Sequence, residues 1–66
     1  MKQLMDDTWA IDADTDVIRC EDTGRYFLRQ YQHEAPHDIR DSVSFDSRVE
    51  AEREYRAGNA VWEEWN

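Results

Sequence analysis

Residues 9–31 read WAIDADTDVIRCEDTGRYFLRQY, and this stretch decides the fold. It holds three short runs rich in β-branched and aromatic residues, which favour strands. The runs are residues 9–11, 16–20 and 25–31. Residues 12–15 separate the first two runs, and their aspartates suit a turn. Gly24 precedes the third run, where the chain needs a positive φ. We therefore predict a three-strand antiparallel meander.

The clearest helix signal is Ser47-Arg48-Val49-Glu50. In such a capping box the serine hydroxyl accepts a hydrogen bond from the backbone N–H of the glutamate, three residues later. We predict that a helix begins here, runs to about Ala57 and ends at Gly58-Asn59, because glycine supplies the left-handed residue that closes a helix. The last run, residues 60–65, fits either a fourth strand or an extra helical turn.

The middle of the chain is predicted to hold a loop around Pro36, since proline lacks a backbone donor and disfavours helix in the residue before it. Residues 37–42 are predicted to add one helical turn. With 66 residues there is room for a single domain, 1–66. The expected fold is α+β: a small antiparallel sheet, as a three-strand meander with or without a fourth C-terminal strand, packed with one main α-helix.

The charge balance is strongly acidic, with 16 Asp+Glu against 8 Lys+Arg and a net charge of -8. The surplus lies in both ends of the chain, and the middle is neutral. This charge repels nucleic acid and anionic membranes and favours encounters with a basic surface. Three Trp, three Tyr and two Phe supply enough apolar surface for a folded chain.

The chain contains no long apolar run, and the first seven residues turn acidic before one develops. We therefore expect neither a signal peptide nor a membrane span. Cys20 is the sole cysteine, so we expect no internal disulfide and a reducing, cytoplasmic setting. We also expect Cys20 to be a small buried residue of a strand. A core this small makes a homodimer a reasonable expectation.

Asp12, Asp14 and Asp16 match the first ligands of an EF-hand calcium loop. That loop needs glycine where Val17 stands and a bidentate glutamate where Thr23 stands, so we predict an acidic turn and no calcium site. A third interpretation treats the three carboxylates as a row. On an extended chain they would share one face at about 6.6 Å intervals, close to the spacing of phosphates.

His33 and His37 are four residues apart, a spacing that suits zinc on a helix. Pro36 interrupts that helix, and Cys20 would have to come from the meander, so we predict no metal site and no cofactor. The sequence has no glycine-rich phosphate loop and no GxSxG motif. We therefore predict no catalytic residues and no enzymatic activity.

Trp62 and Trp65 flank Glu63-Glu64 in the last run. Tryptophan beside acidic residues is typical of binding hot spots. The preferred interpretation is that both rings close the core, with one ring half exposed.

The short length, the charge of -8, the lone cysteine, the clustered acids and the aromatic residues together resemble the small acidic inhibitors of bacteriophages, the anti-CRISPR and anti-restriction proteins. This resemblance implies a DNA mimic that acts in the cytoplasm of a host bacterial cell. Its partner would be a basic DNA-binding complex such as a CRISPR-Cas effector or a restriction enzyme. It implies competition with DNA without turnover, and no direct contact with nucleic acid or membrane.

The candidate binding residues follow from charge placement alone. The main acidic surface is predicted to comprise Asp12, Asp14, Asp16, Glu21 and Asp22. A second patch is predicted to comprise Glu50, Glu54, Glu63 and Glu64. In an alternative hypothesis the chain is an antitoxin or adaptor that covers a basic protein partner without mimicry of DNA. In a third, it is a structural domain whose acids only confer solubility.

Overall fold

The computed structural model describes residues 1–32 and 38–65, and in these residues a five-stranded antiparallel sheet packs against one helix. The elements are β1 (Lys2–Met5), β2 (Thr8–Asp12), β3 (Thr15–Arg19), β4 (Tyr26–Tyr31), β5 (Ile39–Asp41) and α1 (Arg48–Arg56). The strands lie in chain order, β1-β2-β3-β4-β5. The α+β prediction is confirmed: the predicted meander forms the three central strands, and β1 and β5 extend it at its two edges.

Both predicted turns of the meander use the expected chemistry. In the β2–β3 turn the backbone N–H of Asp14 donates to Oδ1 of Asp12 at 2.9 Å, so the aspartate side chain organises the reversal. Between β3 and β4 the chain passes through Gly24 with φ of 71°. A side chain is disfavoured in that conformation, which explains glycine at this position.

Helix α1 begins and ends where the sequence predicts. The Ser47 hydroxyl accepts from the backbone N–H of Glu50 at 3.0 Å, which satisfies one of the free amides of the first turn. At the other end Ala57 is the C-cap, and Gly58 follows with φ of 75°. Ala51 is the fully buried residue of the helix, so backbone and sheet approach closely there.

The core lies between α1 and the central strands. Val17 of β3 and Leu28 of β4 are directly opposite each other, and both are 0% exposed. Ile11, Phe45 and Ala51 complete the core. Because side chains alternate along a strand, the neighbouring pairs Asp16–Arg29 and Ile18–Phe27 project from the other side of the sheet. We call the side that α1 does not cover the open face.

The structure corrects the prediction for residues 37–42. Ile39–Asp41 form strand β5 and pair with β4, so the predicted helical turn is wrong over these residues. The predicted loop at Pro36 lies outside the described residues.

The C-terminal run, residues 60–65, forms neither a regular strand nor a helix. It joins the sheet by a single bridge between Ser42 and Trp62, with the backbone N–H of Glu63 donating to the carbonyl of Asp41 at 2.8 Å.

Strand β1 is the element that the sequence prediction lacks. All four of its residues are exposed, and it holds to the sheet by pairing with β2. Over the part of the chain that the structure describes, no helix is long and apolar enough to cross a lipid bilayer.

Candidate acidic interaction site

The three aspartates predicted to form one acidic row are placed apart. The chain reverses between β2 and β3, so Asp12 and Asp14 belong to the turn. Asp12 is on the α1 side of the sheet, where its Oδ2 accepts from the Tyr55 hydroxyl at 2.5 Å. Asp16 is on the open face, where its Oδ2 accepts from the Tyr31 hydroxyl at 3.2 Å. The interpretation as a row on one extended face is therefore wrong.

Asp12 has an intramolecular role. Burial raises the pKa of its carboxyl, but hydrogen bonds from the Tyr55 hydroxyl and from Asp14 and Thr15 outweigh burial and hold that pKa below its usual value. The same bond to Asp12 raises the pKa of Tyr55. The proton therefore stays on the tyrosine and the negative charge on the aspartate, so the bond ties α1 to the end of β2.

The open face is balanced in charge around Arg29. Arg29 makes a bidentate pair with Asp41 at 2.8 and 3.1 Å, and in the strand register it stands opposite Asp16. The hydrogen bond to Asp41 raises the pKa of the guanidinium. The guanidinium also lies over Phe27, 5.5 Å from the ring centroid. Arg29 thus offsets the charge of the neighbouring carboxylates, and Asp16 is not part of a continuous acidic surface.

The predicted second patch is divided between two elements. Glu50 is in the first turn of α1, where a carboxylate stabilises the positive end of the helix dipole. Glu54 accepts from Nδ2 of Asn59 at 3.1 Å and helps to close the other end. Glu63 and Glu64 are exposed in the C-terminal run, and Glu63 lines a cleft of about 280 Å³ beside Cys20.

Two acidic segments, the β1–β2 turn and the β3–β4 loop, lie at the same end of the antiparallel sheet. The backbone N–H of Arg19 donates to the carbonyl of Asp7 at 2.8 Å, which joins the β1–β2 turn to the end of β3. We call the acids of the two segments the acidic end: Asp6, Asp7, Glu21 and Asp22. All but half-buried Asp7 are exposed. Sequence reasoning found the second pair and missed the first, because β1 was not predicted.

The backbone of the β3–β4 loop is fixed by its own hydrogen bonds. The N–H of Cys20 donates to the carbonyl of Arg25, and the N–H of Gly24 donates to the carbonyl of Cys20, each at 2.8 Å. Arg25 is bound to Asp46 and Ser44, so its charge is largely compensated. Arg19 is the other cation of this end, and the acidic end keeps a net negative charge.

The arginines mostly neutralise acids outside the predicted set. Ion pairs of the described residues join Arg25 to Asp46, Arg29 to Asp41, Arg56 to Glu52 and Arg53 to Glu54. Of these acids only Glu54 was predicted as a binding residue. The surplus negative charge is therefore concentrated on other carboxylates, those of the acidic end among them.

Cys20 is half-buried, so the expectation of a buried strand residue is wrong. It follows β3, and hydrogen bonding to Thr23 lowers the pKa of its thiol.

Among residues 1–32 and 38–65, no cluster of three or more His, Cys, Asp or Glu side chains could hold a metal ion. His33 and His37, considered above for zinc, lie outside the described residues.

Comparison of the chain with models of protein families, with curated protein sequences and with solved structures gives no match.

Proposed function

We propose that this protein is an inhibitor that binds the basic, nucleic-acid-binding surface of a partner protein through its acidic end. The observation that carries the proposal is the placement of two acidic segments at one end of the sheet, where the Arg19 N–H also donates to the Asp7 carbonyl at 2.8 Å. A basic surface that approaches this end meets the exposed carboxylates of both segments. The acidic end thus presents a local negative field on a fixed backbone.

The mechanism is steric and electrostatic competition. A groove lined with Lys and Arg for the phosphate backbone also attracts a protein that carries a net charge of -8. Occupation of that groove excludes DNA, and no bond is made or broken. The resemblance in composition implies a CRISPR-Cas effector or a restriction enzyme of a bacterial host cell as the class of partner.

The second candidate is an antitoxin or adaptor that covers a basic partner without imitating DNA. The opposite placement of Asp12 and Asp16 favours this candidate, because a DNA mimic benefits from carboxylates in a row at phosphate spacing. Two acidic turns at one end of the sheet can still complement a basic protein surface. The two candidates share the acidic end and differ in whether DNA and this protein use the same site.

The test is affinity capture from a bacterial lysate with immobilised protein at about 50 mM and about 500 mM salt. A captured partner is then challenged with excess duplex DNA. Competition predicts a DNA-binding partner that is retained at low salt, released at high salt and displaced by DNA. A partner that stays bound in excess DNA supports the antitoxin or adaptor candidate instead. An empty eluate at low salt contradicts both.

A further inference from the structure

Arg40 is held between the indole rings of Trp62 and Trp65. Its guanidinium carbon lies 4.4 Å from one ring centroid and 4.6 Å from the other, so the cation makes a cation–π contact with each ring. Its Nε donates to Oε1 of Gln30 at 2.8 Å, which fixes one edge. Arg40 belongs to β5 and stands opposite Gln30 of β4. The orientation of this guanidinium is therefore set from three sides.

The fixed edge is anchored to the core by a chain of hydrogen bonds. Gln30 Nε2 donates to Oγ1 of Thr15 at 3.2 Å, and this hydroxyl donates to the Tyr55 oxygen at 3.2 Å. Tyr55 in turn donates to Asp12. Thr15 is 1% exposed, so the middle of this chain of hydrogen bonds is buried, while its end at Asp12 is exposed. Each donor has one acceptor, which gives the chain a single direction.

Arg40 also lines an open cleft of about 420 Å³. Its walls include a second arginine, Arg56, together with Tyr55, Ala60 and Trp62. This volume is in the range of small-molecule sites. The bonds of Arg56 Nη2 to Ile11 and Glu52 are long, 3.4 Å each. Two arginines thus line one cleft of an acidic protein.

The charge of Arg40 is the unexpected feature. Within residues 1–32 and 38–65, no carboxylate pairs with Arg40, and its two terminal amino groups donate no hydrogen bond. This holds although acids outnumber bases 16 to 8 in the chain. A guanidinium edge matches the paired oxygens of a carboxylate or a phosphate. An arginine that served only to hold the two indole rings would need neither the cleft nor the second guanidinium.

We propose that this cleft binds a small aromatic oxyanion, with the carboxylate or phosphate group on Arg40 and Arg56 and the ring against Trp62. The inference is independent of the acidic end. Benzoate, phenyl phosphate and inorganic phosphate are the probes, and benzamide is the neutral control. Their binding is followed by the indole and backbone N–H signals in two-dimensional NMR spectra, with dissociation constants expected near about 1 mM.

The expected result is saturable shifts of the Trp62 and Trp65 signals, with Trp9 unaffected and benzamide inactive. Shifts with benzoate alone identify a carboxylate ligand, and shifts with the two phosphates alone identify a phosphate ligand. Arg40→Gln should weaken binding about ten-fold or more, because it removes the positive charge and the paired N–H donors of the guanidinium. Arg48→Gln is the matched control, since Arg48 lies 4.6 Å from the ring centroid of Trp9 and its loss changes the charge equally.

The dispersion of the NMR signals shows whether Arg40→Gln is folded. If that variant unfolds, Arg56→Gln provides a second test. It should weaken binding about three-fold or more, as the second guanidinium of the cleft is lost. The proposal is overturned by the absence of saturable shifts up to about 20 mM of every probe. It is equally overturned by an equal response to benzamide, or by an equal loss of binding in Arg48→Gln.

Discussion

Tyr55 of helix α1 and Asp12 of strand β2 are 43 residues apart in sequence, and the tyrosine hydroxyl donates to the aspartate at 2.5 Å. The bond connects the last turns of the helix to the β2–β3 turn. It also explains why one of the aspartates predicted to bind a partner serves the fold instead.

Removal of this bond is expected to cost stability in a pH-dependent way. Tyr55→Phe should lower the free energy of unfolding by about 1 kcal/mol near neutral pH, a value reduced by the exposure of Asp12. The folded-state pKa of Asp12 lies below its unfolded-state value of about 3.9, so the unfolded chain takes up the proton first. The stabilisation is thus complete above about pH 4 and is lost as the pH falls through the folded-state pKa.

Urea unfolding of wild type and Tyr55→Phe at about pH 7 and about pH 2.5 measures this difference. Tyr26→Phe is the control, because the Tyr26 hydroxyl bonds to none of the described residues. A difference between wild type and Tyr55→Phe that is as large in acid as at neutral pH would show that the bond to ionised Asp12 is not its source.

A single cavity in the core is expected to lower the free energy of unfolding strongly. Leu28 is 0% exposed and packs against Val17, so Leu28→Ala should cost about 2–5 kcal/mol and leave a domain of this size largely unfolded. Val49→Ala removes apolar atoms from a side chain that is 67% exposed and should change stability by less than about 0.5 kcal/mol. Circular dichroism melting curves measure both, and similar melting temperatures would contradict the assigned core.

The helix start is expected to depend on Ser47. Ser47→Ala leaves the Glu50 amide without its hydroxyl acceptor and should cost about 1 kcal/mol, whereas Ser47→Asp should keep most of the stability because aspartate also caps. Thermal unfolding of the two variants checks this. Equal destabilisation by alanine and aspartate would mean that the hydroxyl does not cap α1.

The sequence predicts most of the fold because the signals of the central elements are local. Each turn or cap residue fixes the backbone of its immediate neighbours, and each lies where the sequence predicts. These residues are the aspartates of the β2–β3 turn, Gly24, Ser47 and Gly58. The edge strands carry no such signal. All of β1 is exposed, and β5 has three residues, so tertiary pairing rather than local preference makes them strands.

The candidate sites were harder to predict because they depend on pairing across the sheet. Charge alone indicates Glu21 and Asp22, but the placement of Asp6 and Asp7 at the same end of the sheet results from the β1–β2 hairpin. The position of Arg40 between Trp62 and Trp65 depends on the bridge to Ser42, which no local pattern indicates. Alternation alone would have placed Asp12 and Asp16 on the same face, because each directly neighbours a core residue, Ile11 or Val17. The register shift between Ala10 and Asp12 turns Asp12 to the α1 side, and no local pattern indicates that shift.

The most direct test of the acidic end compares two triple variants of equal charge. The first set neutralises the three exposed carboxylates of the acidic end and comprises Asp6→Asn, Glu21→Gln and Asp22→Asn. The second set neutralises three exposed or half-buried acids elsewhere and comprises Glu50→Gln, Glu63→Gln and Glu64→Gln. Each set changes the net charge from -8 to -5. The measurement is the dissociation constant of each variant for the captured partner at low salt. We expect the first set to weaken binding at least about ten-fold more than the second. Equal affinities of the two variants would contradict the assignment of binding to the acidic end.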